Sequence, residues 1–242
     1  VYWTNAGGTV QLARLAHTKI GDPPEQLFVS VGAEGDLALD DTHVYWADED
    51  AGLVRRLNKQ SLGTPETVGT SIGPSGIVLD DTFLYWTSQG AVPATDGSVS
   101  RVPKSGGSAT VIASGLDSPW MMTADATHVY WTSLRAGTVH RVVKTGGAAQ
   151  QLATPVDSTP SLVAAWGIVV HSGFVYWREN DLLRRVRVGG GTGETLLTAK
   201  PNGRFVALHG DQLVWTAHIP TLQTVATATG SELGASQATI VT

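Results

Sequence analysis

A Tyr-Trp pair returns along the chain at nearly even spacing. The copies are Val1-Tyr2-Trp3-Thr4, Val44-Tyr45-Trp46-Ala47, Leu84-Tyr85-Trp86-Thr87, Val129-Tyr130-Trp131-Thr132, Val175-Tyr176-Trp177-Arg178 and a shortened Val214-Trp215-Thr216. Successive Trp residues lie 43, 40, 45, 46 and 38 positions apart. A repeat of this length marks small supersecondary units that bury their apolar faces only against their neighbours.

The unit at 120–153 is the clearest. Trp120-Met121-Met122-Thr123-Ala124 is a short apolar run, and Asp125-Ala126-Thr127 is a turn signal, because an Asp side chain bonds the backbone two residues on. His128-Val129-Tyr130-Trp131-Thr132 is rich in strand formers. After a polar loop, Thr138 to Val143 largely alternates, Lys144-Thr145-Gly146-Gly147 closes a hairpin, and Gln150 to Ala153 is an outer strand. Four antiparallel strands in about 40 residues make one propeller blade. The order recurs, and no stretch holds a helical period. The prediction is an all-β fold: a six-bladed β-propeller with four-stranded antiparallel blades, residues 1–242 forming a single domain. Second, third and fourth strands recur six times but first strands only five, since Val1 falls inside a second strand. The first blade therefore lacks its innermost strand as given. The expectation is that an upstream segment supplies it; the alternative is that residues 237–241 fill the gap.

Composition narrows the function. Net charge is −5 with scattered basic residues, which argues against nucleic acid as a partner, since phosphate binding needs a dense Lys/Arg surface. No apolar run approaches the roughly 20 residues that span a bilayer. Cysteine is absent, which excludes disulfides and thiolate metal sites. Low charge with 28 Gly and many Thr, Ser and Val is the composition of secreted β-rich chains.

Leu79-Asp80-Asp81-Thr82-Phe83-Leu84-Tyr85-Trp86-Thr87 and Ser98-Val99-Ser100-Arg101-Val102-Pro103-Lys104-Ser105-Gly106-Gly107 resemble the six-bladed YWTD propellers of the low-density-lipoprotein-receptor class. The pattern is similar above all to bacterial secreted or lipoprotein-like members. The resemblance covers the whole chain. It implies a binding scaffold placed outside the cell, in the periplasm or on the cell surface. It also implies a hydrogen bond between blades at the fourth motif position. That position reads Asn5, Asp48, Ser88, Ser133, Glu179 and Ala217, so only Asp48 keeps the family's Asp.

The repeat Trp residues are read as wedges between blades, in preference to a ring of sugar platforms. Asp40, Asp80 and Asp125, with His171 and His209 in their register, are read as turn residues rather than metal ligands. His43 and His128 lack the spacing of a zinc site. No metal, cofactor or catalytic residue is assigned. The informative register lies eleven residues before each repeat Trp and reads Gly35, Ser75, Trp120, Trp166 and Arg204. It should fall at the head of the innermost strand, at one mouth of the central channel. Trp120 and Trp166 are the only Trp residues outside the repeat. Two indoles beside a guanidinium form a platform for a sugar ring, an aromatic or an acidic group. The competing reading is a channel plugged by indoles. Second-to-third-strand loops add Asn5, Asp48, Glu49, Asp50, Gln89, Arg135, Arg178, Glu179, Asn180, Asp181 and His218. Of these, Arg178, Glu179 and Asn180 are expected nearest the platform. The ligand set is Trp120, Trp166, Arg204, Arg178, Glu179 and Asn180, for a small-molecule or carbohydrate ligand. The alternatives are a hydrolase or lyase drawing on Glu179, Asp48 or His218, and a scaffold for a protein partner.

Overall fold

In a computed structural model, the described residues are 2–5, 10–14, 25–30, 34–60, 63–91, 95–156, 165–180, 182–198, 205–216, 222–226 and 238–241. They form β-strands and no helix, and they gather into two compact units, residues 1–116 and 117–242.

In the first unit, β1 (Tyr2–Asn5), β2 (Val10–Arg14) and β3 (Glu25–Ser30) form a three-stranded sheet. The next sheet holds β4 (Glu34–Leu39), β5 (His43–Asp48), β6 (Leu53–Asn58) and β7 (Glu66–Thr70). The third holds β8 (Pro74–Leu79), β9 (Phe83–Ser88), β10 (Gly97–Pro103) and β11 (Thr110–Leu116). The second unit opens with β12 (Pro119–Ala124), β13 (His128–Ser133), β14 (Val139–Val143) and β15 (Gln150–Ala153). It continues with β16 (Ala165–His171), β17 (Phe174–Glu179), β18 (Leu182–Arg187) and β19 (Glu194–Thr198). It ends with β20 (Val206–His209), β21 (Gln212–Thr216), β22 (Leu222–Ala226) and β23 (Ala238–Val241). Each sheet is an antiparallel meander. The last strand, β23, pairs with β22 and closes its own sheet. The alternative that residues 237–241 complete the first blade is thus corrected for the described part: the local hairpin takes 238–241.

Alternation sends Tyr and Trp of each second strand to opposite faces. From the second sheet to the fifth both rings are buried, Trp131 and Trp177 completely. Four of the repeat Trp residues pack back against the preceding sheet: Trp46 with Leu12, Trp86 with Tyr45 and Val54, Trp177 with Tyr130 and Leu152, Trp215 with Tyr176 and Leu183. Burying one such ring stabilises by about 1.5–3 kcal/mol. Gly69 on β7 makes room for this, since a Cβ there would stand 2.9 Å from the Trp86 ring.

The turns between first and second strands are built as the sequence predicts. Asp40 accepts from the amides of Thr42 and His43 at 2.9 and 2.8 Å. Asp80 does the same for Thr82 and Phe83, and Asp125 for Thr127 and His128. The second carboxylate oxygen takes the hydroxyl of Tyr45, Tyr85 or Tyr130. Opposite each Tyr stands an Arg of the third strand: Arg14, Arg56, Arg101, Arg141 and Arg185. Arg56 donates to the carbonyl of Lys104 in the next sheet at 2.6 Å, and Arg141 likewise to that of Val188. These guanidinium groups supply links between sheets without the family's Asp. In the last sheet, His209, Val214 and Thr224 replace the Asp, Tyr and Arg together.

The fourth motif position follows a local rule. Asp48 pairs with Arg55 across its hairpin at 3.4 Å, and Glu179 pairs with Arg184. Where that position is Ser88 or Ser133, the residue opposite the repeat Trp is Ser100 or His140. Acid and base are thus kept or lost together.

Candidate ligand-binding site

The register eleven residues before the repeat Trp is a β-bulge. In four sheets the ladder between first and second strand slips at one place, between Glu34 and Leu37, Pro74 and Ile77, Pro119 and Met122, and Ala165 and Ile168. The first extra residue is Gly35, Ser75, Trp120 or Trp166. A bulge re-aims the side chains it carries, so this is where the inner strand can vary without disturbing the wedge.

What fills each bulge depends on the residue facing it. Gly35 is closed in, since a Cβ there would meet the Ala47 Cβ at 2.4 Å. Ser75 is buried and shares a hydrogen bond of 3.0 Å with Thr87, whose hydroxyl also accepts from Gly76 N at 2.8 Å. In the second unit the bulges carry indoles. Trp120 and Trp166 stand on consecutive inner strands, each partly exposed, with ring centroids 6.4 Å apart and planes at 86°. An edge-to-face pair of this kind is a favourable aromatic geometry. Arg204 lies outside the described residues, as do Asp181 and His218.

Around the indole pair the charged residues are committed. Arg178 faces the Trp166 bulge, where other sheets have Ala47, Thr87 or Thr132. Its side chain has no exposed surface, and it donates to the carbonyl of Asn180 at 3.2 Å. Asn180 is exposed, with φ of 48°, a left-handed conformation that Asn adopts readily. Glu179 is 1% exposed. Its carboxylate accepts from Trp177 Nε1 at 3.2 Å, Val156 N at 2.7 Å and the Arg184 guanidinium, which also reaches Thr154 O at 2.9 Å. Glu179 therefore belongs to the seam with the preceding sheet, on the Trp177 face of its strand.

On the strand leading into Trp120, Arg135 Nε donates to Ser118 Oγ at 2.6 Å, and its terminal nitrogen lies 3.8 Å from Asp117. Leu134 N donates to Ser118 O at 3.0 Å, docking the loop after β13 beside the start of β12. Asp117 has no repeated counterpart, and no sequence signal marks it. In the sheet of β12–β15, His140 stacks on Trp131 at 5.5 Å. Burial lowers the His140 pKa, against the pull of Asp117.

The first unit has its own titrating group. Asp36, the second bulge residue of β4, accepts from Leu37 N at 2.9 Å and Ile77 N at 3.4 Å. Burial pushes its pKa up to about 6, with those two amides opposing. Glu49 is also raised, first by burial and then by Asp50, against a bond from Gln89. At the far end of β4, a cleft of about 410 Å³ is lined by Asp40, Asp41, Thr42, His43, Tyr45, Lys104 and Ser105. Lys104 stands 3.4 Å from Asp40 there. Among the described residues, no group of three His, Asp or Glu is placed to hold a metal ion.

The fold is a β-propeller of the kind the Tyr-Trp repeats resemble. The chain is similar to a protein in the crystal structure of a nidogen/laminin complex, at 18% identity and a TM-score of 0.68, over 93% of this chain and 88% of that one. It is similar to streptogramin B lyase at 14% identity and 0.72, over 93% and 79%. It is similar to a putative TolB from Agrobacterium tumefaciens at 16% and 0.61, over 86% and 82%. No family model matches the chain, and no curated protein matches it by sequence.

Proposed function

We propose that this chain is a binding module, working outside the cytoplasm, whose ligand sits on Trp120 and Trp166. Arg178 and Glu179 support the site and Asn180 lies at its edge, with Arg204 as a further contact. The observation that carries this reading is the indole pair itself. Two large rings stand partly exposed on consecutive inner strands, at the one register where other sheets carry Gly35 and a buried Ser75. A side chain needed only for closure would be fully covered, as the six-fold Trp set illustrates with Trp46, Trp86 and Trp131. Partly exposed aromatics with few fixed polar neighbours are what ligand pockets use.

The test is a glycan and metabolite screen read by intrinsic tryptophan fluorescence, on the native chain and on Trp120→Ala and Trp166→Ala. The reading expects a ligand whose binding both variants lose. Ligands bound equally well by all three chains would overturn it.

A second reading, a scaffold for a protein partner, is favoured by Val156 and Phe205 in the second unit. They are 60 and 54% exposed, Val156 after β15 and Phe205 just ahead of β20. The nidogen/laminin structure is that of a protein complex. The lyase reading is supported by likeness of fold to streptogramin B lyase, but two of its three acid/base candidates, Asp48 and Glu179, are engaged by Arg55 and Arg184.

A further inference from the structure

We infer that the ligand of the Trp120–Trp166 site is an uncharged pyranose-type carbohydrate, with the Asp117–Arg135 pair as its hydroxyl clamp. The inference rests on the reading just given and adds the ligand class and two residues to it.

The first argument is the shape of the aromatic surface. The two indole planes meet at 86°. A flat polycyclic ligand can stack on one such wall but not on both. A pyranose ring has an apolar C–H face and C–H groups along its rim, so it can lie against one indole and touch the other. Aromatic faces, which carry the negative lobe of the ring quadrupole, suit such C–H groups.

The second argument is charge. The charged side chains described near this pair cancel or are covered. Glu179 is neutralised by Arg184, both buried. Arg178 has no surface through which a ligand could reach it. Asp117 and Arg135 offset one another. Among the described residues an anionic ligand would find no accessible net positive partner, and unpaired burial of charge is costly.

The third argument is the clamp. Arg135 and Asp117 are 38 and 44% exposed, so both heads are open to solvent. The bond from Arg135 Nε to Ser118 Oγ holds the guanidinium beside the segment Asp117-Ser118-Pro119, which runs directly into Trp120. A carboxylate accepts, and a guanidinium donates, at two parallel positions, the spacing that vicinal hydroxyls present. An ion pair this exposed adds little to stability, so its substitution should leave the fold intact.

The experiment uses the full chain, with isothermal titration and tryptophan fluorescence. The probes are cellobiose, maltose and chitobiose as neutral sugars, trigalacturonate as an acidic sugar, and indole-3-acetate as a planar aromatic acid. At least one neutral disaccharide should bind saturably. Trp120→Ala and Trp166→Ala should weaken it by about tenfold or more, and Arg135→Gln and Asp117→Asn by about fivefold or more, each tenfold being ~1.4 kcal/mol. Trp166→Phe should retain most of the binding, and thermal melts of Arg135→Gln and Asp117→Asn should match the native chain. If trigalacturonate or indole-3-acetate binds in a Trp-dependent way while neutral sugars do not, the carbohydrate inference falls and the binding site stands. If neutral sugars bind but are indifferent to Arg135→Gln and Asp117→Asn, the clamp falls. If no probe binds, or binding ignores both Trp variants, the inference falls together with the site it rests on.

Discussion

Asp125 carries the turn before β13 with one carboxylate, accepting from Thr127 N, Thr127 Oγ1, His128 N and Tyr130 Oη. Burial alone would raise its pKa, but the Tyr130 hydroxyl and the two amides outweigh burial and hold the group below the usual carboxylate range. Asp40 behaves the same way, and Tyr45 is pushed up to about 12, first by burial and then by the carboxylate it bonds. A depressed carboxylate contributes stability that is full above its unfolded pKa and is lost as pH falls through the folded value. Tyr130→Phe should therefore cost about 1 kcal/mol in urea melts near pH 7. That difference should shrink in acid, below about pH 4, where the unfolded chain takes up its proton. Asp36 has the opposite sign. Its pKa is raised to about 6, so the folded state binds the proton more tightly, and stability declines as pH rises through that value. Asp36→Asn should gain on the order of 2 kcal/mol near pH 7 and nothing near pH 4, measured by thermal melts across the range. A gain independent of pH would mean that the Asp36 carboxyl has the same pKa in the folded and unfolded chain, so that burial does not shift it.

The four-stranded sheet is the unit in which links to neighbours are made, and two kinds of link differ in strength. Arg56 reaches the Lys104 carbonyl of the next sheet and also pairs with Glu66, which is largely exposed. Arg56→Ala should cost about 1–3 kcal/mol, because a carbonyl between sheets loses a charge-assisted donor. Glu66→Gln should cost under about 0.5 kcal/mol, because the partner faces water. The Glu179–Arg184 pair is buried, so Glu179→Gln should cost about 3–5 kcal/mol, with Glu179→Gln/Arg184→Met recovering part of it. Denaturant melts of the single and double variants check this. The strands themselves were legible, because Tyr-Trp runs, Asp turns and Gly-Gly hairpins are local signals; observed strand ends shift by a residue or two. The inter-sheet arginines were not legible. Nothing local marks Arg56 and Arg141: only the register pairs them with Tyr45 and Tyr130, and only the next sheet supplies the carbonyl.

Across the chain, the repeat divides positions into those that agree and those that depart, and the departures point to the site. The register of Gly35, Ser75, Trp120 and Trp166 was visible in the sequence, though its physical basis, a bulge in those four first strands, was not. Glu179 was drawn toward the platform by nearness in sequence; strand alternation instead turns it to the Trp177 face and into the seam. Asp117 could not be found from the sequence at all, because only the folding of the 133–138 loop onto Ser118 brings Arg135 to it. The chain has eight Trp residues, so its indole N–H groups give a small, assignable set of NMR signals. The most direct test is to titrate the ¹⁵N-labelled chain with the disaccharide that binds and follow those signals, with Trp120→Phe and Trp166→Phe assigning two of them. The account predicts saturable shifts of Trp120 and Trp166 while the buried repeat indoles stay in place. Shifts confined to the repeat indoles, with Trp120 and Trp166 unmoved, would contradict it.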